Sequence, residues 1–257
     1  MNRELLASVA VRYRLALWLL IALLALGGGA RAQDEDAPAD APEEKPSWTA
    51  RTSARAAFVV DAGLAALRVT PSPNGDLKQR LRVGRRVYVL GRPRTADGRA
   101  YLFVAVTRRT RGWLDQRAVA RASQPSDAAR LLALARAETG GYERLRLCRL
   151  FESLFRQSPQ MPASLLLLGE TADAEAQAIQ RRAERRARQR ATSGNADEAA
   201  YFDNDPALDR YNRLGVKFRY DLAQKRYRYD GAAYRRLAKQ YPRAPEAEKA
   251  RQWLTAP

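Results

Sequence analysis

The chain contains no histidine, one cysteine (Cys148) and only six lysines among its 46 cationic residues. Each shortage excludes something. Without histidine there is no Ser-His or Cys-His nucleophile pair and no His-ligated metal. A single cysteine closes no intrachain disulfide and anchors no zinc cluster. No P-loop or dinucleotide fingerprint is present either. These absences predict a protein that is not an enzyme and that takes no metal or other cofactor. Acids are also scarce, 28 against 46 bases, which leaves a net charge of +18 over 257 residues. A basic chain of this kind first suggests a nucleic-acid partner, but the N-terminus argues against one.

Long apolar runs are missing except near that terminus. Arg3, Arg12 and Arg14 precede Leu15 to Leu26, twelve uninterrupted apolar residues. Gly27-Gly28-Gly29 then breaks the helix, and Ala30-Arg31-Ala32 places small residues where a signal peptidase reads. Residues 1–32 thus fit the plan of an export signal cleaved between Ala32 and Gln33. An uncleaved anchor is the competing reading, although the run falls short of the roughly 20 apolar residues of a spanning helix. No cysteine follows for lipid attachment. The expectation is a periplasmic or secreted protein, peripheral to a membrane at most, with no nucleic-acid partner. Removing the signal lowers the charge to +15. The polyanions then within reach are envelope phosphates and cell-wall carboxylates.

Residues 33–52 read as a linker. Their acidic part, QDEDAPADAPEEKPS, has six acids, three prolines and no large apolar side chain, so it cannot offset the entropy of ordering.

From residue 53 to 122 the pattern is β. Phe58-Val59-Val60, Leu64 to Val69, Leu81 to Leu90, Ala100 to Thr107 and Gly112-Trp113-Leu114 are short strand-like runs. A turn cluster, Pro71 to Asp76, and a loop, Gly91 to Gly98, separate them. Turns every eight to twelve residues predict a small antiparallel barrel. The ordered motifs Leu67-Arg68-Val69-Thr70-Pro71-Ser72-Pro73, Leu81-Arg82-Val83-Gly84-Arg85-Arg86-Val87-Tyr88-Val89-Leu90-Gly91, Tyr101-Leu102-Phe103-Val104 and Gly112-Trp113-Leu114 resemble a bacterial SH3-like (SH3b) domain. Thr70-Pro71-Ser72 departs from the Arg-Ser-Gly usual in that family, at a loop that shapes the ligand groove. The resemblance implies binding of a cell-wall peptide or glycan, or of an envelope protein. Tyr88, Tyr101 and Trp113 are the aromatic candidates, ringed by Arg85, Arg86, Arg109 and Arg111. Such a surface stacks on a sugar or peptide and pairs with carboxylates.

Residues 123–257 predict helices. Ser126 is the expected cap of a first helix with Ala128, Leu131, Leu132 and Ala135 on one face, ended by Gly140-Gly141. Leu145, Cys148, Phe151, Leu154 and Phe155 follow at helical spacing. A long helix from Ala163 carries a stripe, Leu168, Ala172, Ala176, Ile179, Ala183 and Ala187, and leaves the arginine run from Arg181 to Arg190 on a solvated face. Thr192 to Asp205 reads as a loop. Helices are then expected from Pro206, over Asp230 to Tyr241, and from Pro245 with Ala247, Ala250 and Leu254 inward. Phe151 to Ala163 aligns with Tyr234 to Glu246 at an offset of 83, each a helix ending in a proline turn. Ala233, Leu237, Tyr241, Pro242, Pro245 and Ala250 resemble degenerate tetratricopeptide-like (TPR-like) hairpins, which implies a scaffold for a protein partner.

The fold expected is therefore multidomain β plus α, an SH3-like barrel followed by TPR-like hairpins. The function expected is non-enzymatic binding in the bacterial cell envelope. The alternatives are a general polyanion binder and an enzyme acting on peptidoglycan. For the enzyme, Leu134 to Gly141 resembles the helix end that carries the catalytic glutamate of lytic transglycosylases, here Glu138, but the Gly-Leu-Met-Gln-type motif that follows in that family is absent.

Overall fold

A computed structural model describes residues 55–190, Phe202 and 205–255. The export signal with its Ala32–Gln33 junction, the 33–52 linker and nearly all of the Thr192–Asp205 loop lie outside the described residues.

Eight short strands form one antiparallel sheet: β1 (Ala56–Val59), β2 (Ala66–Arg68), β3 (Leu77–Arg80), β4 (Arg86–Val89), β5 (Arg94–Ala96), β6 (Arg99–Ala105), β7 (Arg111–Asp115) and β8 (Val119–Ala120). Their order is β3-β2-β7-β6-β4-β1-β8, with β5 on β6. Period-two alternation sends Ala57, Val59, Leu67, Val87, Leu102, Val104 and Leu114 to one buried face.

The barrel expected from sequence is not closed, because β3 and β8 do not pair. β3 is exposed throughout, while β8 is two residues long and meets the helices instead. There Arg130 donates to the carbonyls of Arg117 and Val119, and Ala120 enters the helical core. A guanidinium thus satisfies carbonyls at an edge that a closing strand would otherwise cover. Three further strands, β3, β5 and β8, were not expected, and β5 falls within the Gly91–Gly98 loop.

Among the described residues the elements that follow include six helices: α1 (Pro125–Ala137), α2 (Gly141–Leu154), α3 (Met161–Arg190), α4 (Pro206–Leu214), α5 (Ala232–Gln240) and α6 (Glu246–Thr255). Gln124, not Ser126, precedes α1, and its side chain makes no cap hydrogen bond. Asp127 is instead drawn inward, accepting from the Arg121 N–H at 2.9 Å and pairing with Arg130 at 2.8 Å. α1 ends at Ala137 with Glu138 as its cap, before Gly140-Gly141, and those glycines instead start α2, Gly140 as its cap and Gly141 as its first residue. The α3 stripe is buried from Leu165 to Ala183. Leu254 faces outward, 38% exposed, and Trp253 packs in its place against Tyr234.

An unexpected hairpin, β9 (Phe218–Asp221) and β10 (Arg226–Tyr229), sits between α4 and α5. Asp221 accepts from the N–H groups of Ala223 and Gln224 to shape the turn. The aromatics of the hairpin form a chain of ring contacts that includes Phe202–Tyr220, stacked at 4.3 Å, and Tyr211–Phe218, edge-on at 5.0 Å.

The two proline-turn hairpins do share one geometry, but in a different register. The Phe155 N–H bonds to the Phe151 carbonyl, Ser158 to Phe155 and Met161 to Ser158. The second copy repeats this with Tyr241 to Leu237, Ala244 to Tyr241 and Ala247 to Ala244. The residues that end the helices match as well, Phe155 at φ −122°, ψ 46° and Tyr241 at φ −129°, ψ 52°. The structural offset is therefore 86, which pairs Pro159 with Pro245 and the buried Phe151 with Leu237, Cys148 with Tyr234 and Met161 with Ala247.

Sheet and helices share packing. Val60 and Ala120 belong to the helical core and Val83 packs against it, while Arg146 of α2 donates to the Val83 carbonyl.

Cys148 is fully buried, and burial, reinforced by Glu152, pushes its thiol up to about 12. A thiol-reactive disulfide reagent at pH 8 should leave the folded chain unmodified and titrate one thiol in denaturant; fast reaction of the folded chain would contradict this packing.

Asp173 accepts a hydrogen bond from the Tyr234 hydroxyl at 2.7 Å. Its pKa is nonetheless raised, because burial outweighs the hydrogen bonds from Tyr234 and Trp253. The fold therefore holds this proton more tightly than the unfolded chain does, and the contribution of Asp173 to stability falls as pH rises from the ordinary aspartate range through the raised value. Asp173→Asn should gain stability relative to the parent at neutral pH and lose that advantage in acid, as read by urea denaturation at several pH values.

Candidate functional site

The outer face of the sheet follows from the same alternation that builds its core. Trp113 sits opposite Phe103 across β7 and β6, and Arg68 opposite Trp113 across β2 and β7. Tyr88 pairs with Ala105 on β6, and Arg86 with Phe58 on β1. The partners of a pair point to the same face. Phe58, Tyr88, Phe103 and Trp113 therefore form an aromatic row across β1, β4, β6 and β7, each half-buried.

Arginines occupy the remaining places on this face. The Arg94 guanidinium lies 5.2 Å from the centre of the Trp113 ring, and Arg86 lies 5.2 Å from that of Phe58. Both are cation–π distances. Phe103 and Trp113 meet at 5.1 Å, tilted by 48°. Arg68 is anchored by a 2.6 Å hydrogen bond to the Gly75 carbonyl. Arg111 shares the face through its pairing with Ala105. Such a row offers flat apolar surface for stacking and guanidinium forks for carboxylates.

Of the seven residues expected from sequence, the structure brings together Tyr88, Trp113, Arg86 and Arg111. Tyr101 is buried, 4% exposed, and sits opposite Asp115 on β7, so its ring is not part of the accessible row. Arg85 lies in the turn before β4, where its N–H donates to the Arg82 carbonyl. Arg109 lies in the β6–β7 turn, with its N–H on the Thr107 hydroxyl. Both are exposed, away from the row. Phe58, Phe103, Arg68 and Arg94 were missed. Counting by twos from Tyr101 along β6 would have found Phe103, but Phe58, Arg68 and Arg94 require the pairing.

Asp115 lies on β7 two residues beyond Trp113, opposite Tyr101. Burial raises its pKa, but side-chain and backbone hydrogen bonds from Arg117 outweigh burial and hold it below the usual carboxylate range. It is thus neutralised within the fold. Glu138, the candidate acid of the enzymatic alternative, follows α1 directly and accepts the Gly140 N–H at 2.8 Å, while its carbonyl accepts from Arg144. That is the work of a helix end. Among the described residues no group of three or more acids and cysteines is placed to hold a metal ion, and no helix is long and apolar enough to cross a membrane.

The chain matches no family model, no curated protein and no solved structure.

Gly112 sets how closely β2 and β7 approach beneath Trp113. A Cβ there would fall 2.6 Å from the Arg68 carbonyl oxygen and 2.9 Å from Leu67. Gly112→Ala should destabilise the chain by about 1–3 kcal/mol, as strand separation or a displaced Leu67 relieves the clash. Denaturation followed by tryptophan emission tests this; an unchanged midpoint would refute it.

Proposed function

We propose that this chain is an exported, non-enzymatic binding protein of the bacterial cell envelope. In this reading the SH3-like sheet holds a carboxylate-bearing wall component or protein segment, and the TPR-like hairpins present a surface to a protein partner. The single observation that carries the reading is the row of Phe58, Tyr88, Phe103 and Trp113 interleaved with Arg68, Arg86, Arg94 and Arg111. The acid that shares this face by alternation, Asp115, is already paired with Arg117 at 2.8 Å. The two cation–π pairs hold the rings and guanidiniums in place, which limits the entropy lost when a ligand docks.

The N-terminal pattern supports export, and export places wall carboxylates among the anions within reach. The charge agrees, since residues 48–122 carry +12 of the total. The Glu138 carboxylate is taken up locally by the Gly140 N–H, and the Gly-Leu-Met-Gln-type motif that accompanies a catalytic glutamate at such a helix end is absent from the sequence, which favours binding over glycosidic chemistry.

Co-sedimentation of the full chain with purified sacculi tests the proposal. Retention should drop roughly ten-fold for Trp113→Ala and for Arg94→Ala. It should also fall steeply at about 0.5 M salt, where exposed charge pairs are screened. Arg109→Ala, away from the row, should behave as the parent. A parent chain that stays in the supernatant at low salt, or release of soluble wall fragments by it, would overturn the reading.

A further inference from the structure

The C-terminal half contains a second place where arginines and aromatics converge. α3, β10, α5 and α6 enclose a cleft of about 610 Å³, a size typical of small-molecule sites. One wall is the Trp253 indole. It stacks on Tyr234 at 4.5 Å and 26°, with the Tyr229 ring 6.3 Å away. Asp173 accepts the Tyr234 hydroxyl at 2.7 Å and so holds the ring on which the indole stacks. The platform is therefore rigid before any ligand arrives.

Arg226 and Arg228 come from β10 and Arg235 from α5. Arg235 donates to the Asp230 carbonyl and approaches its carboxylate at 3.8 Å, and Arg228 lies 3.9 Å from Asp221. These contacts orient the two guanidiniums. Arg226 is exposed. Gln177 on α3 adds an amide to the rim, and an amide serves hydroxyl groups as both donor and acceptor.

We propose that this cleft binds a sugar ring bearing a carboxylate. The ring's apolar face lies on Trp253, its hydroxyls meet Gln177, and its carboxylate pairs with Arg226 and its neighbours. A backed, flat aromatic wall beside directional donors suits a ring that is apolar on its face and polar at its edge. The guanidinium fork selects the carboxylate. The site is separate from the sheet's outer face and gives the helical half a ligand of its own.

N-acetylmuramic acid titrated calorimetrically into the full chain tests this. Saturable 1:1 binding is expected. Two probes dissect it: N-acetylglucosamine keeps the ring without the carboxylate, and inorganic phosphate is an anion without the ring. Each should bind about ten-fold more weakly or less. Arg226→Ala, at an exposed strand position, should lower the affinity about ten-fold with no change in thermal midpoint. Trp113→Ala should bind as the parent, which separates failure of this site from failure of the sheet surface. The proposal is overturned if N-acetylmuramic acid gives no binding, if N-acetylglucosamine binds equally well, if Arg226→Ala is without effect, or if Trp113→Ala abolishes the signal.

Discussion

The helical half depends on how closely tyrosine rings can lie on α3. At Gly169 a Cβ would come within 2.5 Å of the Tyr234 ring, so that ring rests directly on helix backbone. Ala172, Ala176 and Ala183 extend the same low surface along a helix about 45 Å long. Small residues allow α5 and β10 to dock closely, and close approach is what lets dispersion contacts accumulate. Each docked element also brings a polar tie to α3. The Tyr234 hydroxyl bonds Asp173, the Tyr211 hydroxyl bonds Glu175, and the Tyr227 N–H bonds Gln180 at 3.1 Å. Apolar packing supplies the affinity and these acids and amides fix the register, since a tyrosine buried with an unmade hydroxyl bond would be costly.

The arginine excess takes on a different meaning in this light. Several guanidiniums that read as surface charge in the sequence are structural donors to carbonyls. Arg130 serves Arg117 and Val119, Arg146 serves Val83, and Arg149 serves Leu214. Arg149 and Arg236 also share the buried carboxylate of Glu152, at 2.8 and 2.9 Å, which ties α2 to α5. Burial raises the Glu152 pKa even so, against the pull of both arginines. A planar five-donor group suits this use as a lysine would not, because its geometry lets one side chain bond two acceptors at once. Part of the net charge is thus the consequence of bracing one element against the next.

The helices were legible because their periodicity is long and uninterrupted. The Leu168-to-Ala183 stripe alone fixes which face of α3 is buried. The β9–β10 hairpin was not, although Phe218, Tyr220, Tyr227 and Tyr229 alternate in the sequence, because four-residue runs rich in arginine resemble an exposed loop. The repeat was legible as a pattern, but its register was not. Prolines align at an offset of 83, whereas the helix-ending hydrogen bonds and the buried side chains align at 86. The difference of three residues is close to one helical turn, so aligning prolines slides the copies by a turn while keeping a similar face inward. The same limit applied at the sheet's outer face. Tyr88 and Trp113 follow from alternation within a strand, but Phe58, Arg68 and Arg94 join them only through pairings between strands distant in sequence. Tyr101 shows the converse, since its pairing with Asp115 and its burial are set by neighbours that its own strand does not reveal.

A surface recognising anions through arginine and aromatic rings has a further consequence in a chain without histidine. Guanidinium stays charged at every physiological pH, and an ordinary side chain that changes charge between pH 5 and 8 is missing. Both arginine–aromatic surfaces therefore keep their charge as external pH varies, provided the fold around them persists. The acids whose pKa is raised by burial, Glu152 and Asp173, lie beneath the helices rather than on the sheet. Their titration acts on packing, on the α2–α5 tie and on the platform of the Trp253 cleft. For the cleft this separates two pH effects. Its guanidiniums hold their charge throughout, while in acid Asp173, whose pKa is raised by burial, takes up a proton beneath the Tyr234 hydroxyl and the ligand's own carboxylate is neutralised in the ordinary carboxylate range, so the first alters the platform and the second the pairing.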